Sequence, residues 1–470
     1  MALAVSLHVP SGPTGLIVTV LALAGLVAAC YVARFLDPAW LLSTGIATEV
    51  FVGSGGKLGL PISPSRLLIL AGSIVVIMRA PRPFPLRPQP LHVLLLAVSV
   101  WALGSAFFSG TLSASGTTYE LLDRLGVVPF WLFFLAPLAF ATERQRRILL
   151  GTMIVLGGYL ALTALFETLK LWKLVWPRYI LDPTYGSHGD RARGPFVESI
   201  TNGMGLFACG VAAAMGVAVW RERLNVRRAC AAVAALCLAG CLFTLTREVW
   251  LGTAIAGLVT LAAFAELRRF LLPAVVAGAV VTLLALATVP GFASSFHSRT
   301  HDQSSLWVRK NVAHAALKMI DARPLLGFGW NNFVPESPPY FRAASDYPMK
   351  GIGVPVHNVF LRNAVELGLI GTALWALAMA LALGGAVFAA PDRPELRVWQ
   401  MGMAAIALNF LVIINFAPSS YAFPTVLLWT WAGVVGSPLT RPELAPERRR
   451  ARLAVVTGGP AEAESLVTSH

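Results

Sequence analysis

Residues 270–291 read FLLPAVVAGAVVTLLALATVPG, a run without a single charged side chain. An α-helix rises 1.5 Å per residue, so about 20 such residues cross a hydrocarbon core ~30 Å thick. Arg268 and Arg269 stand just before the run, and Pro290 and Gly291 close it. Runs of this kind recur along all 470 residues. Hydrophobic residues make up 56% of the chain and charged residues only 13%, against roughly 25% charged in soluble domains. Mean hydropathy is +0.70. So little charge cannot cover a soluble surface, and the chain reads as an all-α polytopic integral membrane protein. Disorder, a coiled coil and a disulfide scaffold are excluded, as is an outer-membrane barrel, whose strands alternate in polarity.

On this reading there are about twelve spans: 15–35, 62–79, 91–110, 125–141, 148–168, 202–220, 229–246, 248–265, 270–291, 358–388, 397–415 and 419–436. The segment 38–55 carries Glu49 and ends in Gly53, Gly55 and Gly56. It is open between a further span, a re-entrant piece and an interfacial segment. The first apolar run lacks a basic leader and a cleavage site, which makes it a retained helix. Cys30, Cys209, Cys230, Cys237 and Cys241 all sit in or beside apolar runs. Neither a disulfide nor a cysteine metal site is expected.

The net charge of +14 comes mostly from arginines in alternate connections and near the C-terminus. That is the positive-inside pattern rather than a nucleic-acid surface. It places those connections, and the C-terminus, in the cytoplasm. Two long loops, 169–201 and 292–357, and the turn at Thr246–Glu248 then face outward. Residues 1–436 form one transmembrane unit, and 437–470 read as a disordered basic cytoplasmic tail. In the larger loop, a surface helix is expected near 304–322. Val308, Val312, Ala315, Ala316 and Met319 share one face; Arg309, Lys310, His314 and Lys318 share the other. Its apolar face can lie on the membrane or on the protein itself.

Four outward stretches carry possible chemistry. Arg191 and Arg193 stand before Gly194–Pro195–Phe196, just ahead of a span. Arginine holds phosphate with a planar donor fork and keeps its charge; contact with lipid headgroups is the alternative. Arg247 sits in a tight turn after Thr244–Leu245–Thr246, where a charge must be paired or reach the headgroups. Pro324–Leu325–Leu326–Gly327–Phe328–Gly329 leads to Trp330, Asn332 and Phe333, with Trp330 and Asn332 as possible substrate contacts. It lacks the strand–turn–helix setting of a dinucleotide site. His357 precedes Asn358 at the start of a long helix. A helix N-terminus suits phosphate, and an imidazole there can act as a base near neutral pH. A cap or core role is the ordinary alternative. His297 and His301 have only Asp302 nearby, so no metal and no cofactor are expected.

Together these pieces resemble the O-antigen ligase/O-antigen polymerase superfamily of membrane glycosyltransferases. The likeness runs over roughly 190–375 and ends in Glu366–Leu367–Gly368–Leu369–Ile370–Gly371. Two departures stand out: Glu198–Ser199 where members often have Pro–Asn, and Thr246 where serine is usual. The resemblance implies a GT-C-like fold. It implies transfer of a glycan from an undecaprenyl-diphosphate-linked donor to a lipid- or glycan-linked acceptor, such as the lipid A core, at the outer face of the bacterial cytoplasmic (inner) membrane. It assigns donor pyrophosphate to Arg191, Arg193 and Arg247, catalysis to His357, and substrate contact to Asn358. Membrane lipids are the remaining partners. A transporter or flippase would instead place charges at mid-membrane and break helices in related halves; a non-enzymatic assembly protein would not need the arginine–histidine set.

Overall fold

The computed structural model describes residues 31, 35–51, 63–81, 88–112, 120–186, 191–289, 291–301, 304–342, 348–388, 394–417 and 422–436. Most of the expected first span, Gly53, Gly55, Gly56 and the expected tail at 437–470 lie outside the described residues. Among the described residues every regular element is helical. In chain order the helices are α1 (Pro38–Thr48), α2 (Pro64–Arg79), α3 (Pro90–Phe108), α4 (Val127–Ala139), α5 (Glu143–Thr168), α6 (Ser199–Val219), α7 (Leu224–Phe243) and α8 (Arg247–Ala263). They continue with α9 (Leu271–Thr288), α10 (Phe292–His301), α11 (Ser304–Ala322), α12 (Phe333–Glu336), α13 (Val359–Phe388), α14 (Pro394–Ile414) and α15 (Ala422–Gly436).

Among the described residues, eight helical segments are long and apolar enough to cross a membrane. A helix meets its own backbone hydrogen-bonding needs, which is what hydrocarbon demands. The spans read at 62–79, 248–265 and 419–436 fall on helices of 16, 17 and 15 residues. Within the open segment 38–55, α1 has 11 residues and ends in a short turn at Glu49–Phe51; α1 alone rises only about 16 Å.

The central bundle pairs α6 with α7, α4 with α15, α8 with α14, and α5 with both α6 and α7. Helix α9 stands apart. Ala285 is its one buried residue among those described, while Leu272, Leu283 and Leu284 are exposed, as on a lipid-facing helix. At one end of the bundle Arg146 is buried and donates to the carbonyls of Phe140 and Ala141 and to Glu395. There too Arg397 pairs with Glu266 at 3.0 Å. The functional motifs gather at the other end.

Helix α13 is broken at Gly368, whose φ of 70° is left-handed and whose Cβ, if present, would lie 2.0 Å from the Leu325 carbonyl oxygen. Only glycine fits. The Pro324–Gly329 turn supplies the missing hydrogen bonds. Phe328 N–H donates to the Val365 carbonyl (2.8 Å), Gly329 N–H to that of Glu366 (3.0 Å), and Leu369 N–H to that of Pro324 (2.8 Å). The Trp101 indole N–H donates to the Leu367 carbonyl from α3 at 3.0 Å. The two glycine motifs of the sequence are thus halves of one joint, which fixes where α13 begins and where its first residues point.

Candidate functional site

Helix α11 runs from Ser304 to Ala322, and Pro324 follows its end. Its apolar face is buried against protein: Val312, Ala315, Ala316 and Met319 pack with Phe328, Phe333, Val356 and Val365. That covering decides between the two destinations open to this face. On the polar face Lys310 and His314 stay exposed, whereas Arg309 is half-buried and pairs with Glu248 at the start of α8. One turn earlier, Ser305 accepts a 2.9 Å hydrogen bond from Arg247. Arg247 and Arg309 are near enough that the first guanidinium lowers the proton affinity of the second, together with burial. Both remain charged.

His357 lies on the approach to α13 and feels the same cation. Burial first, then the Arg309 charge, push its imidazole below the ordinary histidine value; a hydrogen bond to the Pro355 backbone pulls the other way. Desolvation and Arg309 are the causes found here. The helix start is closed by its neighbour: the Asn358 side chain accepts from Leu361 N–H at 3.0 Å and donates to Asn415, just past α14, at 3.2 Å. Asn358 is therefore an N-cap and an interhelix tie.

The Arg191–Phe196 stretch is bound to this assembly through its backbone. Ala192 N–H donates to the Phe243 carbonyl at the end of α7 (3.2 Å), and the Ala192 carbonyl accepts from Asn202 (3.1 Å). These contacts set Arg191, half-buried, beside the turn that carries Arg247. Arg193 is different. Its guanidinium is buried and donates to the carbonyls of Ile180 (2.6 Å), Tyr185 (2.8 Å) and Asp182 (3.4 Å). Its own N–H and that of Gly194 rest on the two carboxylate oxygens of Glu167. Arg193 holds its loop together.

Two further residues find structural settings. Trp330 has no exposed surface, and its N–H and carbonyl are held by Ser105 and Thr111; a fully buried indole has no face to offer a sugar. Asn332 donates to the Phe328 carbonyl within its own turn. His301's side chain and Asp302 lie outside the described residues. The two sequence departures meet each other. Thr246 Oγ1 lies 3.0 Å from Ser199 Oγ, and Glu198 caps α6 by accepting from the N–H and hydroxyl of Thr201.

The structure thus brings Arg247, Arg309, Glu248, Ser305 and His357 into one cluster, with Arg191 beside it. Sequence reading missed Arg309, Glu248 and Ser305 as a set. The available signal was a polar helix face holding Arg309 opposite an apolar face that needed covering.

Residues 232–376 match the family model described as O-antigen ligase. Over that segment the chain is similar to the O-antigen ligases. The matched segment contains Arg247, Arg309 and His357 and begins after Arg191 and Arg193. It bears out the resemblance to the O-antigen ligase/polymerase superfamily and implies a membrane enzyme of glycosyltransferase type acting on lipid-linked glycans. No curated protein matches the chain.

Proposed function

We propose that this protein is an O-antigen ligase-type transferase. It moves a glycan from an undecaprenyl-diphosphate carrier to a lipid-linked acceptor of the lipid A core kind, at the outer face of the cytoplasmic membrane. The arginine asymmetry of the sequence supports that orientation. The observation that carries the reading is the crowding of Arg247 and Arg309 beside His357, with Glu248 paired to Arg309. Like charges held together repel, and a diphosphate entering between them relieves the repulsion.

The chemistry follows from the leaving group. As the sugar departs, negative charge builds on the diphosphate. Fixed guanidinia in a desolvated site stabilise that charge without reorganising. Arg247 and Arg309 fill this role, and Arg191 is placed to extend it. His357, held neutral at pH 7, takes the proton from the acceptor hydroxyl as it attacks the anomeric carbon. One displacement with one base inverts the configuration and needs no covalent intermediate.

The test is transfer by purified protein from an undecaprenyl-diphosphate glycan, offered lipid A core or a second carrier-linked glycan as acceptor. Product on the lipid A core supports the ligase. Product only on the carrier-linked glycan makes the protein a polymerase of the same superfamily. No transfer to either, with donor still bound, ends the reading.

A further inference from the structure

Residues 169–178 read LKLWKLVWPR and contain three basic side chains and no acidic one. They follow α5 directly. The helix ends in a Schellman turn with Lys170 in the left-handed conformation (φ 57°): Lys170 N–H donates to the Glu167 carbonyl and Leu171 N–H to that of Phe166. The chain therefore leaves the helix axis at once and turns back beside the last turns of the helix. Arg178 then donates to the carbonyls of Trp172 and Lys173 at 2.6 and 3.0 Å, and Tyr159 to that of Trp176 at 2.9 Å. Val175 is the buried anchor, packed with Tyr179, Ile180 and Val197.

What this fixed shape displays is apolar. Leu169, Leu171, Trp172, Leu174 and Trp176 are all exposed, Leu174 at 57% and Trp176 at 65%. Lys170, Lys173 and Arg178 are exposed among them. Five large apolar side chains in one short stretch need a partner. Tryptophan mixed with lysine, at the end of a membrane-length helix, has the composition of the membrane–water boundary.

We infer that residues 169–178 dock on the membrane surface and bind anionic phospholipid headgroups. The apolar side chains enter the boundary between headgroups and acyl chains, and Lys170 and Lys173 take the phosphates. The charge decides the occupant: with no acid in the stretch, an anionic leaflet is complementary to all three cations. The dock also has a route to the site. Arg193 grips the Ile180 and Tyr185 carbonyls just beyond it, so its depth sets the height of the Arg191 turn. That consequence rests on the function proposed above; the test that follows does not.

The experiment places a bimane label on Leu174→Cys in a Cys30→Ala background; Cys209, Cys230, Cys237 and Cys241 are buried. The whole protein is reconstituted in nanodiscs of phosphatidylcholine, alone or mixed with phosphatidylglycerol. Brominated lipid should quench the label and aqueous iodide should not. Brominated phosphatidylglycerol should quench more strongly than brominated phosphatidylcholine. Lys170→Gln and Lys173→Gln should each cut that preference, by at most about fivefold, while quenching by phosphatidylcholine persists. Quenching by iodide but not lipid would overturn the dock. A label shielded from both would give the surface to protein, another copy or a partner, and overturn it too. Equal quenching by the two lipids would overturn the headgroup assignment.

Discussion

Arg193 and Arg309 are both arginines at the same end of the bundle, and their surroundings differ in kind. Arg193 is enclosed by neutral carbonyls of its own loop, with Glu167 beneath its backbone. Arg309 faces a second guanidinium and a carboxylate, both from the start of α8, and the imidazole that precedes α13. The carbonyls around Arg193 fix a shape, and the Glu167 carboxylate beside it offsets its single charge, whereas Arg247 and Arg309 are two cations beside the one Glu248 carboxylate. A cation held against another cation leaves a positive potential that an anion can neutralise. Residue type proposes phosphate binding for both; the partners separate them.

The largest expected effect lies at the centre of the charged region. His357→Ala and His357→Gln should insert and fold normally and lose transfer by roughly 10²-fold or more, the scale of a general base. Donor binding should change little, since a neutral imidazole adds little charge. Initial rates measured beside equilibrium donor binding check this. A variant that loses binding and rate together would move His357 into the phosphate group.

Arg309→Lys comes next. An ammonium can still pair with Glu248, so thermal unfolding in detergent should stay near wild type. The planar fork is lost, and transfer should fall roughly tenfold or more. Wild-type transfer by the lysine variant would reduce Arg309 to a partner for Glu248 and remove the contrast with Arg193.

The helices of the bundle are legible in the sequence because each carries its own signal. A long uncharged run needs no distant partner to be recognised, and α9 is helical although almost nothing packs on it. Arg247 and His357 are also legible, being charged or polar at the edges of such runs. Arg309 is not. Beside Lys310, His314 and Lys318 it reads as part of an ordinary solvated face; Lys310 and His314 are in fact exposed, and only its pairing with Glu248 sets Arg309 apart. Trp330 is the reverse case. An aromatic after a glycine turn reads equally as a stacking platform or as core, and contacts from Ser105 and Thr111 on a remote part of the chain decide it. The glycines of 327 and 368 are each visible, but that they touch is a property of the fold.

On the neutral side of the comparison, Arg193→Ala should lower stability by about 3 kcal/mol, because buried carbonyls lose charged donors. Whatever folds should transfer within roughly threefold of wild type. Arg191→Ala should do the opposite, with unfolding unchanged and donor use weakened. The check is the midpoint of thermal unfolding beside specific activity of the folded fraction. An Arg193→Ala protein of normal stability and poor donor use would exchange the two roles.

The smallest effect is a pH dependence. His357 titrates below 6.5, lowered by burial and by Arg309. The base form therefore predominates above pH 7, and the rate should change little there. At pH 6.5 less than half of the imidazole is protonated, so the loss should stay under about twofold. The steep fall comes at lower pH. Linkage has the same sign. The unfolded chain binds the proton more readily, so the stability contributed by neutral His357 is full above pH 6.5 and declines as pH falls through the lowered value. Arg309→Gln separates the causes. Without that cation the acid limb should move up toward 6.5, by less than the whole shift, because burial remains the larger cause. A limb that stays in place would mean that Arg309 does not face the imidazole, and the charged region would lose the feature that sets it apart from Arg193.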